Sequence, residues 1–143
     1  MLFFSIMRIV EMKLVPKNKR GIFHKNSIKL EHYEEKTARL LTFYGFNVEV
    51  IRPTNTPKMN NPDILMTGTM WEIKTPINYN KNTLKNRMKK ASKQANQVIF
   101  DLRNVKNHEK AQKYIIELFR GNRRIRRMII ITKDKKVLDL RKK

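Results

Sequence analysis

The stretch NNPDILMTGTMWEIKTP, Asn60 to Pro76, decides how the chain is read. Two short apolar runs, Asp63–Met66 and Met70–Lys74, flank Thr67-Gly68-Thr69, a pattern that predicts a β-hairpin. Side chains two apart in a strand share a face, so Glu72 and Lys74 project together while Trp71 and Ile73 enter the opposite layer. Asp63 stands at the mouth of the first strand, and a tight hairpin brings its carboxylate beside Glu72. Two readings compete. Charges alternating with apolar residues are most often the wet face of a hairpin. Alternatively, Asp63, Glu72 and the main-chain carbonyl of Ile73 form a hard-oxygen site of the kind Mg²⁺ or Mn²⁺ prefers. Lys74 would then orient an attacking water and stabilise charge developing on a phosphate.

Upstream, Leu30, Tyr33, Thr37, Leu40, Leu41 and Tyr44 recur at helical spacing, and Gly45 stops that helix. Glu34 falls at the edge of its apolar stripe, whereas Glu31 and Glu35 point to solvent. Phe46–Ile51 alternates as a strand that Pro53 ends, and Thr54–Pro62 is a polar loop. Downstream, Lys81–Asn96 reads as a basic helix with Leu84, Met88, Ala91 and Ala95 inside. Lys81, Lys85, Arg87, Lys89, Lys90 and Lys93 face outward as phosphate contacts, and Gln94 and Gln97 close it as neutral hydrogen-bonding groups. Then follow an apolar strand Val98–Leu102, a helix Glu109–Arg120, a buried strand Met128–Ile131 and an edge strand Val137–Leu140. The order α-β-β-β-α-β-α-β-β implies an α/β fold, or its α+β variant, with a mixed central sheet flanked by helices. Residues 1–29 read as an extension or arm, with 13–28 irregular, and 30–143 as one domain.

The charge balance narrows the partners. Thirty-three Lys and Arg against twelve Asp and Glu leave +21 and a pI of about 10.6. Such a field attracts polyanions, nucleic acid first, with anionic membrane surfaces and acidic proteins as rivals. Arg123, Arg124, Arg126 and Arg127 extend the basic track of the helix. The absence of cysteine excludes disulfides, zinc–thiolate sites and thiol catalysis. MLFFSIMRIV is too short to span a bilayer, and MKLVPKNKRG from Met12 itself looks like a start, so a soluble, cytoplasmic protein is expected. His24, His32 and His108 have no partner at ligand spacing; His32 offers only a metal-independent acid–base route. Asp101, inside VIFDL, reads as a paired structural carboxylate, with Arg103 as one partner, or as support for the site. Trp71 and Tyr79 are core residues or base-stacking platforms, core being the simpler reading for Trp71.

Pro62-Asp63, Glu72-x-Lys74, a preceding helix with Glu34 and a following helix with Gln94 together resemble the PD-(D/E)XK nuclease superfamily. The run from NNPDILMTGTMWEIKTP to QANQVIFDLR looks, more narrowly, like the C-terminal tRNase domain of CdiA-type contact-dependent growth inhibition toxins. The resemblance spans roughly Glu31 to Arg103. It implies a restriction-endonuclease-like α-β-β-β-α-β core and a metal held by Asp63 and Glu72. Lys74 would be catalytic, with Glu34 and Gln94 as supporting members. The interval between Asp63 and Glu72 is short for the superfamily, so the hairpin must be tight. RNA, tRNA included, is the substrate it implies, with an acidic immunity or inhibitor protein as partner and delivery as a toxin. Resolvase-like relatives are dimers; toxin-like ones need not be. The alternatives are a DNA endonuclease or resolvase of the same fold, a non-catalytic nucleic-acid-binding module, and a basic domain for membranes or proteins.

Overall fold

A computed structural model of the chain describes residues 8–51 and 63–143. The polar loop Thr54–Pro62, Pro53 and most of the apolar start lie outside the described residues. One eight-stranded sheet runs in the order β1-β8-β7-β6-β5-β4-β3-β2. Its strands are β1 (Ile9–Leu14), β2 (Phe23–His24), β3 (Val48–Val50), β4 (Ile64–Met66), β5 (Thr69–Lys74), β6 (Gln97–Asp101), β7 (Arg127–Ile131) and β8 (Val137–Lys142). The helices are α1 (His32–Phe43), α2 (Lys81–Gln94) and α3 (His108–Gly121). The expected order from the first helix onward is therefore present, in a mixed α/β architecture.

The middle strands β5, β6 and β7 are parallel, and antiparallel pairs extend them on both sides. Two successive crossovers that step in the same direction along a sheet put their helices on the same face. Accordingly α2 and α3 share one face, where Leu84, Met88, Ala91, Ala111, Ile115 and Phe119 pack on Val98, Phe100, Met128 and Ile130. The other face belongs to α1, whose Ala38 and Leu41 pack against Ile64, Trp71, Ile73, Ile99 and Ile129. Alternation along β5, β6 and β7 serves both layers: their odd-numbered core residues face α1, the even-numbered ones α2 and α3.

Local chemistry sets the ends of α1 and α2. Gly45, at φ +87°, follows α1 in the left-handed conformation that a Cβ disfavours. Its N–H donates to Thr42 and that of Phe46 to Leu41, the paired bonds of a Schellman ending. Asn80 caps α2 by accepting from the Thr83 N–H at 3.1 Å. Two corrections concern the sheet margins. Ile9–Leu14, read as part of an extension and arm, is a full strand paired residue by residue with β8. Consequently β8 is not an edge; β1 covers it. Phe23–His24, also within the presumed irregular stretch, adds a short parallel strand beside β3.

A candidate active site at the end of the central hairpin

The hairpin between β4 and β5 turns on two residues, Thr67 and Gly68, both at positive φ (56° and 76°). Such a turn matches the twist of the flanking strands and fixes their register. Ile64 stands opposite Trp71, which by count sets Asp63 opposite Glu72. The Asp63 N–H donates to the Trp71 carbonyl at 3.1 Å, extending the ladder by one bond. Its carboxylate then reaches forward and accepts the Ile73 N–H at 2.8 Å. A short interval between the two acids is thus sufficient. The Ile73 carbonyl projects from the same strand edge as its N–H, beyond the end of β4.

Glu72 is buried, 4% exposed, on the α2 side of the sheet. Lys74 Nζ lies 3.3 Å from one of its oxygens. With its amide turned so that the nitrogen faces Glu72, Gln94, at the last turn of α2, donates to both Glu72 oxygens at 3.1 and 3.2 Å. That position is 3.5 Å from Lys74 Nζ, a distance too long to compete. Burial foremost, and then the Asp63 carboxylate, push the Glu72 carboxyl up to about 8 against the pull of Lys74. Glu34, half-buried in the first turn of α1, is raised to about 7, again by burial first and by Asp63 second. Three carboxyls and one lysine therefore gather here, and burial first, then the Asp63 charge, raises Glu72 and Glu34 by more than Lys74 lowers them.

That donor set fits a hard divalent cation. Asp63 and Glu72 stand opposite each other at the end of the hairpin, where an oxygen-seeking ion could lie between them, and the Ile73 carbonyl adds a neutral oxygen. Among the described residues no three Asp, Glu, His or Cys side chains converge at ligand distance. Two carboxylates plus main-chain oxygen are what the chain contributes, and Glu34 stands behind them rather than with them.

Glu34 owes its place to a buried clamp. Thr37, one turn further along α1, donates its hydroxyl to Asp101 at 2.6 Å. Asp101, 2% exposed at the end of β6, is also gripped by Arg103 through side chain and main chain. Asp101 has the paired structural role expected of it; its link to Thr37 was not foreseen. Glu31 is exposed, whereas Glu35 is held by Lys25 at 2.7 Å and Arg39 at 3.2 Å rather than free in solvent.

Around the site, Lys81, Lys85, Lys89, Lys90 and Lys93 of α2 are exposed as expected, although Lys81 turns its ammonium toward the Tyr114 ring. Arg87 is half-buried with its Nε enclosed, so it belongs to the flank of the helix rather than its outer face. Arg123 and Arg124 are exposed just before β7, and the Arg126 N–H donates to Asn96 at 2.7 Å, tying that segment to the end of α2. Two expected members fall elsewhere. Gln97 opens β6 in register with Arg127, on the face away from Glu72. Arg127 is bound at 2.7 Å to Asp139 and stacks over Trp71. Trp71 is fully buried, its indole N–H donating to Met66 at 2.9 Å, and Tyr79 packs on the α2–α3 core, so neither is a free stacking platform. His24 and His32 are exposed and His108 opens α3. No helix among the described residues is long and apolar enough to cross a membrane.

The family model described as "Contact-dependent growth inhibition CdiA C-terminal domain" matches residues 60–137, hairpin, basic helix and the strands beyond. A search of the curated proteins finds no match. Among solved structures the chain is similar to a CdiA-CT/CdiI toxin and immunity complex from Burkholderia pseudomallei, at 18% identity and a TM-score of 0.63. That likeness covers 85% of this chain and 99% of the other, and at such identity it speaks for the fold. With more than half its length matched, the chain belongs to the contact-dependent growth inhibition CdiA C-terminal domain family.

Proposed function

We propose that this member of the CdiA C-terminal domain family is a toxin domain that hydrolyses phosphodiester bonds in nucleic acid with the help of Mg²⁺ or Mn²⁺. RNA, tRNA in particular, is the substrate the family resemblance favours, and the cytoplasm of a target cell the place of action. One observation carries the reading: a two-residue turn brings Asp63 beside Glu72, with Lys74 Nζ 3.3 Å from the latter.

Asp63, Glu72 and the Ile73 carbonyl would hold the cation, which when bound supplies a Lewis acid for the phosphoryl oxygen and lowers the pKa of a water. The chain's own groups do the rest. Lys74, 3.3 Å from Glu72, donates to the attacking water or to a phosphoryl oxygen, stabilising charge as it develops. Gln94 holds both Glu72 oxygens, so the carboxylate keeps one orientation through the reaction. Glu34, raised to about 7, can accept the proton released by the water at neutral pH. The lysines of α2 and Arg123–Arg124 neutralise the incoming backbone. An acidic immunity protein, covering this basic surface in the producing cell, is the matching partner; the structural relative is itself described as a toxin and immunity complex.

The test is purified protein on tRNA and on DNA, with Mg²⁺ or EDTA, beside Glu72→Ala and Lys74→Ala. Cutting that needs the metal and disappears in both variants is expected. Cutting in EDTA, or cutting that survives both substitutions, rejects the site; DNA cut in preference to tRNA rejects the substrate.

A further inference from the structure

A cleft of about 950 Å³ opens on the α1 face, at the end of the sheet remote from Asp63 and Lys74. One wall is the segment after β1, fastened to the end of α1. The Lys17 N–H donates to Phe43 at 3.0 Å and the Gly21 N–H to Thr42 at 2.7 Å. Gly21 is packed so closely that a Cβ would stand 1.8 Å from the Phe46 carbonyl oxygen, so the wall is built rather than draped. The floor holds Arg127 and Arg141, both on the carboxylate of Asp139 at 2.7 and 3.3 Å.

Six cations line this space: Lys13, Lys17, Lys19, Arg20, Arg127 and Arg141, against one carboxylate, Asp139, a balance of +5. Asp139 is spent on the two arginines, and among the described residues Lys13, Lys17, Lys19 and Arg20 make no ion pair. Arg141 is 56% exposed, so the buried acid orients its guanidinium without consuming its outward N–H groups. Register gives the separation from the candidate site. Arg127 is level with Trp71, three residues before Lys74 and two strands across, which is roughly 14 Å within the sheet plane before the change of face is added.

We infer that this cleft is a second polyanion site, binding the phosphodiester backbone of the substrate at a distance from the cut. The choice of ligand rests on the nuclease reading above and on shape. A nucleic-acid strand carries one charge per nucleotide along a narrow backbone, whereas a protein must gather several carboxylates on one protrusion to match five positive charges in a concave space. Because the cleft and the hairpin end cannot share a phosphate, a bound molecule must be folded or long enough to reach both. Short strands engage one site only.

The experiment measures binding of the full chain by fluorescence anisotropy in EDTA across a salt series, to a folded tRNA, a DNA duplex, a short single strand and poly-glutamate. Lys13→Gln with Lys19→Gln is expected to weaken tRNA binding roughly ten-fold and to lower the salt slope by about one per charge removed. Arg141→Gln should act in the same direction, and the short strand should be far less affected. Lys110→Gln with Lys113→Gln, exposed on α3, removes the same charge elsewhere and should leave binding close to the wild type. Unchanged affinity and slope in the cleft variants overturn the inference, as does an equal loss in the α3 pair, which would make the effect one of net charge. Retained tRNA binding with loss of poly-glutamate binding would also overturn it, assigning the cleft to an acidic protein. None of these readouts depends on cutting, so failure of Glu72→Ala to abolish cleavage judges the nuclease reading separately.

Discussion

Glu72 and Asp139 are buried to nearly the same extent, 4% and 2% exposed, on the same sheet, yet their surroundings are opposite. Asp139 is met by two guanidiniums, one of them half-buried and bidentate. Asp101, also 2% exposed, is treated the same way by Arg103. Glu72 has one lysine and one neutral amide, and faces Asp63 besides. A carboxylate that serves the fold is compensated where it lies; one left short of positive charge is held ready for a charge from outside. Burial alone does not separate the two classes, but the partners do.

The comparison breaks most visibly at Glu72 itself. Glu72→Ala should lower phosphodiester cleavage by about a thousand-fold, in the range seen when a central electrostatic group is lost, with the melting temperature unchanged or higher. Asp139→Ala should do the reverse. It strands Arg127 beneath the surface and should cost about 3–5 kcal/mol in denaturant unfolding, while the cutting rate per folded molecule holds. A large loss of rate in Asp139→Ala under folding conditions would erase the distinction.

Thr37→Val tests the clamp between these extremes. Removing a hydroxyl that donates to a buried carboxylate should cost about 1.5–3 kcal/mol. By letting Glu34 shift, it should also lower kcat more than it raises KM.

Acidity offers a finer probe. Glu72 moves from an ordinary 4.5 to about 8 on folding, so the native state holds a proton the unfolded chain has released. The stability this contributes is complete below pH 4.5 and drains away as pH rises to about 8, Glu34 adding the same trend up to about 7. In EDTA the melting temperature should therefore fall across that window, and Glu72→Gln should flatten the fall; Mg²⁺ should restore stability most at the alkaline end. The smallest effect belongs to the turn. Gly68→Ala, at φ +76° with open space around it, should cost about 1 kcal/mol by left-handed strain alone.

What could be read in the sequence was what neighbours in the chain decide. Alternation in Met70–Lys74 separates Glu72 from Trp71, and the brevity of Thr67-Gly68 forces Asp63 next to Glu72. Gly45 marks a helix end because its chemistry acts within four residues. What could not be read was pairing across the chain. Thr37 finds Asp101 across 64 positions, and Ile9–Leu14 finds Val137–Lys142 across nearly the whole length. The first strand shows little alternation, its four inner residues all exposed, so nothing local marks it as part of a sheet. Arg127 was taken for a member of a basic run because its partner lies over the next turn.

The pairing of β1 with β8 has a kinetic consequence. Ile9 is matched to Lys142, so the sheet cannot close until nearly the last residue of the domain is free to join it. Contacts of such separation slow the search for the native state. Until they form, β8 exposes an unpaired margin, and the wall of the basic cleft is held by α1 alone. A chain emerging from a ribosome or threading a narrow passage would therefore stay incompletely assembled to the end, and the cleft should gain its affinity for polyanions in the final step of folding.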